Sequence, residues 1–181
     1  MVMDMWKKRR IVMMRITTYN IRINAESKLT ELVKEKAFNY KTDNSHLDSA
    51  ELIAKMMCDV FQLHLCAEEY VYLLALDIKC RIVGIFEVVH GTVNECPLNT
   101  RELMIRNLLC GASAFILVHN HPSGELSVSV DDIKTTEIVR KAGELMGIPM
   151  LDHIIIARDE NAAGSNGYTY YSMKEHGFLT E

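Results

Sequence analysis

The sequence predicts an α/β domain in which a mixed β-sheet lies between helices. Three observations predict it. Helical and strand-like patterns alternate along the chain. Two runs, "SAFILV" (113–118) and "MLDHIIIA" (150–157), are apolar enough for strands covered on both faces. Capping signals and glycines punctuate the segments between them.

The elements follow in order. Residues 11–24, "IVMMRITTYNIRIN", are rich in β-branched side chains and read as a strand or extended arm. Residues 25–45 are polar and carry no clear pattern. Residues 1–45 are therefore taken as an N-terminal extension and 46–181 as the domain. "DSAE" (48–51) resembles a capping box with Asp48 as the cap. Leu52, Ile53, Met56, Met57, Val60 and Phe61 follow at helical spacing, with the methionines as core filler. "EEYVYLLALD" (68–77) and "RIVGIFEVVHG" (81–91) are strands joined so briefly that a hairpin is expected. "NTRE" (99–102) caps a second helix, and Gly111 stops it. A third helix spans about 130–146 and is closed by Gly147. Residues 158–167 read as a loop, "YTYY" as a short strand, and "SMKE" (172–175) as a last helical turn.

Composition narrows the class. The chain has 181 residues, 49% hydrophobic and 24% charged, as in ordinary globular proteins. A net charge of −4 argues against a general grip on nucleic acid. One basic run, Lys7-Lys8-Arg9-Arg10, runs against that trend and reads as a solvated tail. The five cysteines (Cys58, Cys66, Cys80, Cys96, Cys110) are odd in number and irregularly spaced, which suits reduced thiols and predicts a cytoplasmic protein. No apolar run is long enough to span a bilayer, and no signal-peptide core stands at the N-terminus.

The chemistry concentrates in "LVHNHPSGELSVSVDD" (117–132). His119 and His121 are two residues apart, so on extended backbone they face the same side. They would converge at the C-terminal end of a buried strand, where α/β sheets bind ligands. Asp132 would lie in the first turn of the next helix. Two histidines and one carboxylate are the three ligands zinc takes in hydrolases, leaving one position for water. The alternative is structural. Ser129-Val130-Asp131-Asp132 is also a capping box, and a capping carboxylate needs no metal. Activation of water also calls for a base, and Glu68, Glu69, Glu87 and Glu102 lie near strand or helix ends.

The run from His119 to Asp132 fits His-x-His-x7-Ser-x2-Asp at every fixed position. It resembles the signature of the JAMM (JAB or MPN) metal-dependent hydrolases. "EEYVYLLALD", "HGTVNECPLNTRE", "HNHPSG" and "LDHIIIA" are similar to landmarks of the bacterial RadC branch, in the same order, from about residue 45 to the C-terminus. The resemblance implies a cytidine-deaminase-like α/β architecture. It implies zinc held by His119, His121 and Asp132, with Ser129 steadying the tetrahedral intermediate. It implies an upstream glutamate as general acid/base; counting back from Asp77 assigns Glu69, with Glu68 the alternative on the opposite face. The implied activity is hydrolysis of peptide or isopeptide bonds in a protein or peptide substrate. Two other functions remain open at this point: a non-catalytic module in a DNA-associated assembly, and a metal-dependent hydrolase of nucleic acid.

The chain departs from the RadC pattern twice. Residues 1–45 show no helix-hairpin-helix, and Val128 stands where a proline usually precedes the signature serine. Among the other polar residues, His153 reads either as a buried structural histidine or as an orienter of the metal ligands. Asp152 would face away from it. Cys96 reads as a loop thiol or, less simply, a thiolate ligand. His64 and His90 read as surface or capping groups, and Ser123 as a turn stabiliser.

Overall fold

A computed structural model describes residues 11–42, 47–91, 98–159 and 167–179, and in it seven strands form a single sheet. In chain order these are β1 (Val12–Ile23), β2 (Thr30–Thr42), β3 (Glu69–Leu76), β4 (Ile82–Gly91), β5 (Ala114–His121), β6 (Met150–Arg158) and β7 (Tyr168–Ser172). Their order across the sheet is β2-β1-β4-β3-β5-β6-β7. The pairs β1–β4 and β5–β6 are parallel and the others antiparallel, so the sheet is mixed. The expected α/β class holds.

Helices cover both faces. On one lies α1 (Ala50–Phe61), whose Ile53, Ala54, Met56, Met57 and Cys58 pack against Tyr72, Leu74, Ile116, Val118, Ile154 and Ile156. On the other lie α2 (Thr100–Leu109) and α3 (Val130–Leu145), which bury Leu103, Met104 and Val139 against Leu73, Ala75, Phe115 and Leu117. The odd-numbered residues of β3 and β5 thus face α2 and α3, and the even-numbered ones face α1, as strand alternation requires.

The predicted hairpin of β3 and β4 turns at Asp77–Arg81, where Asp77 accepts from the amides of Lys79 and Arg81 and pairs with the Arg81 side chain. Gly111 and Gly147 adopt positive φ at the ends of α2 and α3, as expected of helix stops.

Three local expectations need correction. The cap of α1 is Ser49, whose hydroxyl accepts from the Leu52 amide, one residue after the predicted Asp48. Residues 173–179 form turns rather than a helix. Within the polar segment 25–45, residues 30–42 form strand β2. Its charged "VKEKAF" core hides a strand that lies at the sheet edge, where most of its side chains are solvated. The turn before it is built by Asn24, whose side-chain oxygen accepts from the amides of Glu26 and Ser27. The hairpin joins the rest of the sheet through β1 beside β4, with Ile16 and Tyr40 buried in the α1-side core.

One glycine sets the approach of α3. A Cβ on Gly143 would lie 2.6 Å from the Ile148 carbonyl oxygen and 2.9 Å from Phe115 Cε1. Only glycine lets the last turn of α3 lie this close to the Ile148 carbonyl and to Phe115 of β5. Gly143→Ala should therefore destabilise the fold by about 1–3 kcal/mol despite better helix propensity. A urea unfolding curve checks this; an unchanged midpoint would contradict it.

Candidate metal centre

β5 ends in His119-Asn120-His121. His119 and His121 share the α3-facing side with Phe115 and Leu117, as the strand period demands. A β-turn follows, with Pro122 at its second position and the Gly124 amide bonded to the His121 carbonyl. Ser123 steadies it by accepting from the Glu125 amide. The chain then returns to α3, capped by Ser129.

The two imidazoles and Asp132 converge. Their Nε2 atoms are 3.0 Å apart. His119 Nε2 lies 3.3 Å from Asp132 Oδ1, and His121 Nε2 lies 3.7 Å from Asp132 Oδ2. One donor atom from each residue falls within 4.8 Å of the others, the only such group among the described residues. His119 is sealed, while the side chains of His121 and Asp132 keep 17% and 15% exposure. The cluster is open on one side, the arrangement that leaves a coordination place free.

The capping box and the metal cluster are the same carboxylate. Asp132 Oδ2 accepts from the Ser129 amide at 2.8 Å, and Ser129 Oγ accepts from the Asp132 amide at 3.0 Å. Oδ1 is left pointing at His119. The cap fixes the rotamer that presents the ligand oxygen, so the two readings of Ser-x-x-Asp are complementary.

Hydrogen bonds also assign the ring protons. His121 Nδ1 faces the Glu125 carbonyl at 2.8 Å, and a carbonyl only accepts, so the proton sits on Nδ1. For His119 the assignment passes through two more residues. Thr136 Oγ1 lies 2.6 Å from the Asp132 carbonyl, to which it donates. Having given its one proton there, it accepts from His153 Nδ1 at 2.6 Å. His153 Nε2 then accepts from His119 Nδ1 at 2.7 Å. Both Nε2 lone pairs are thereby turned toward Asp132. Two lone pairs 3.0 Å apart repel each other unless a proton or a metal cation lies between them. The donor set, its tautomers and its geometry fit a divalent metal such as zinc.

Protons and a metal compete for the same three donor atoms. Burial opposes the Asp132 carboxylate, but when protons occupy the two Nε2 atoms, hydrogen bonds from His119 and His121, with that from Ser129, outweigh it and hold the carboxyl well below the usual range. Burial also works against a charged His121. The Asp132 hydrogen bond, the Glu125 carbonyl and the charges of Asp132 and Glu69 more than offset it and raise its pKa. Burial pushes His153 far down, so it stays neutral as the relay requires.

The other candidates separate. Glu69 opens β3 on the side of Leu73 and Ala75, the same side as the two ligand histidines, and its charge acts on His121. Glu68 is exposed and pairs with His90, which stacks on Tyr70. Glu87 meets the Tyr72 hydroxyl, and Glu102 pairs with Arg101 and Arg106. Asp152 faces away from His153 and accepts from Ser172 Oγ, anchoring β7. His64 sits in a single helical turn, Leu63–Leu65, against Tyr168. Cys96 and the run Lys7–Arg10 lie outside the described residues. Sequence reasoning missed Thr136 and Asn120. Thr136 carries a readable signal, since it lies four residues after Asp132 on one helix face.

The family profile of the RadC-like JAB domain matches residues 47–178. The chain belongs to this family. Among its relatives is a "UPF0758 protein" of Finegoldia magna, 34% identical over 137 residues, covering 76% of this chain and 60% of that protein. A "UPF0758 protein" of Pelobacter propionicus is 40% identical over 119 residues, 66% of this chain and 48% of its own length. One from Alkaliphilus metalliredigens is 32% identical over 149 residues, 82% and 60% respectively. The chain thus spans about half to three-fifths of the length of these curated relatives. The JAB-domain chain carries a His/His/Asp cluster compatible with a metal, and no helix among its described residues is long and apolar enough to cross a membrane.

The relay makes Thr136 separable from the fold. Thr136→Val keeps the shape but removes the hydroxyl, and should weaken zinc affinity about 10–100-fold. Thr136→Ser should restore it. Competition with a chromophoric chelator measures both; equal affinities for Val and Ser would contradict the relay.

Proposed function

We propose that the protein is a zinc-dependent hydrolase of peptide or isopeptide amide bonds, working in the cytoplasm on a protein or peptide substrate. The observation that carries the proposal is the open His119–His121–Asp132 cluster with Glu69 on the same side of the sheet.

A zinc ion bound there would supply an acidified water, with pKa near 7, and polarise the scissile carbonyl. His119, His121 and Asp132 would hold the ion. Glu69 takes the proton of the attacking water and passes it to the leaving amine nitrogen. Ser129 uses its oxygen as the helix cap, which leaves its hydroxyl proton to donate to the developing oxyanion. The negative net charge supports a peptide over a nucleic acid as substrate.

Incubation with peptide and isopeptide libraries tests the reading. Wild-type protein should cut, and chelator should stop it. Glu69→Gln should keep about one zinc per chain and lose at least about 10²-fold in kcat, while Glu68→Gln should remain active. Cleavage that survives in Glu69→Gln would sink the assignment. Cleavage of DNA but no peptide would favour the nucleic-acid alternative.

A further inference from the structure

The residue between the two ligand histidines has its own task. Asn120 is 1% exposed and its side chain points to the α1 side, away from the metal cluster. Its Oδ1 accepts from the Tyr70 amide at 2.9 Å, and its Nδ2 donates to the Glu68 carbonyl at 3.0 Å. Those two groups belong to the peptide units on either side of Glu69. Gripping both fixes the backbone at Glu69 and hence the direction of its Cα–Cβ bond.

The sequence explains why a side chain is needed. The β3–β5 ladder runs in continuous register and ends at Val71 opposite His119. Continued, it would set Tyr70 opposite Asn120 and Glu68 opposite residue 122. The Glu68 carbonyl would then draw its hydrogen bond from the amide of residue 122. That residue is Pro122, which has no N–H. The turn that brings Glu125 to His121 therefore costs the sheet a donor next to Glu69. The Asn120 amide, with one donor and one acceptor in the right places, replaces it. On the other side of β3, Glu69 pairs with Gly91, but the register shifts between Val71 and Tyr72. The β5 side is the one that holds β3 to the ligand strand.

We infer that Asn120 is a positioning residue that pins both peptide units flanking Glu69 and so aims its carboxylate at the metal cluster. The catalytic half of this inference rests on the function proposed above; the structural half does not.

Asn120→Ala, compared with wild type in the zinc-loaded protein, tests both halves. Zinc content should stay at about one per chain, because the ligands come from β5 and α3. Tyr70 amide exchange, followed by NMR, should quicken about tenfold or more, the loss of one buried hydrogen bond. On an amide substrate kcat should fall about 10²-fold with KM nearly kept. In a Glu69→Gln background the same substitution should cost nothing further, since its effect passes through Glu69. Should Asn120→Ala not fold, Asn120→Ser, whose hydroxyl is too short to bridge both groups, gives the same readings. Wild-type Tyr70 protection in the variant overturns the pin. An equal loss in the Glu69→Gln background overturns its link to Glu69. If wild-type protein cuts nothing, the hydrolase reading fails, and Tyr70 exchange alone decides the pin.

Discussion

The centre depends on one chain of hydrogen bonds. It begins at the Asp132 backbone carbonyl, passes through Thr136 and His153, and ends at His119 Nδ1. Run in the opposite sense, with Thr136 donating to His153 and both rings in the other tautomer, the chain would place a hydrogen on His119 Nε2 and deny that nitrogen to a metal. A main-chain carbonyl cannot donate, so it fixes the direction for everything beyond it. The low dielectric around His153 reinforces the order by keeping the ring neutral. The same aspartate that supplies this carbonyl also turns a carboxylate oxygen toward His119 and supplies half of the helix cap. Helix initiation, ligand orientation and tautomer choice are thus coupled in one residue.

The fold serves this coupling. β5 and β6 are parallel neighbours joined by α3, so the ligand pair at the end of β5 and His153 within β6 face the same helix. Gly143 lets that helix close on Phe115, and Thr136 then reaches His153 from the helix side. β3 borders β5 on the other edge and brings Glu69 to the same rim. Four segments that are distant in sequence meet at one strand terminus.

Much of this was legible beforehand. The apolar runs of β5 and β6, the β3–β4 hairpin and the caps of α2 and α3 all follow from periodicity and turn chemistry. β2 was hidden, because an edge strand solvated over most of its side chains loses the alternation that betrays buried strands. The cap of α1 moved from Asp48 to Ser49, a shift that spacing cannot resolve when two capping residues adjoin. At the site, His119, His121 and Asp132 were visible as ligand types at a telling spacing. The separation of Glu68 from Glu69 turned on strand register, and the relay partners lie far apart in sequence, so only the folded chain brings them together. Asn120 escaped notice because its importance arises from a donor that Pro122 lacks.

The central claim is that both Nε2 atoms and one Asp132 oxygen surround a single divalent cation. Zinc X-ray absorption on stoichiometrically loaded protein tests it most directly. The account predicts two imidazole nitrogens and two oxygen donors at about 2.0–2.1 Å, one carboxylate and one water, with no sulfur. A sulfur scatterer at about 2.3 Å, or the same spectrum from His119→Ala, would contradict it.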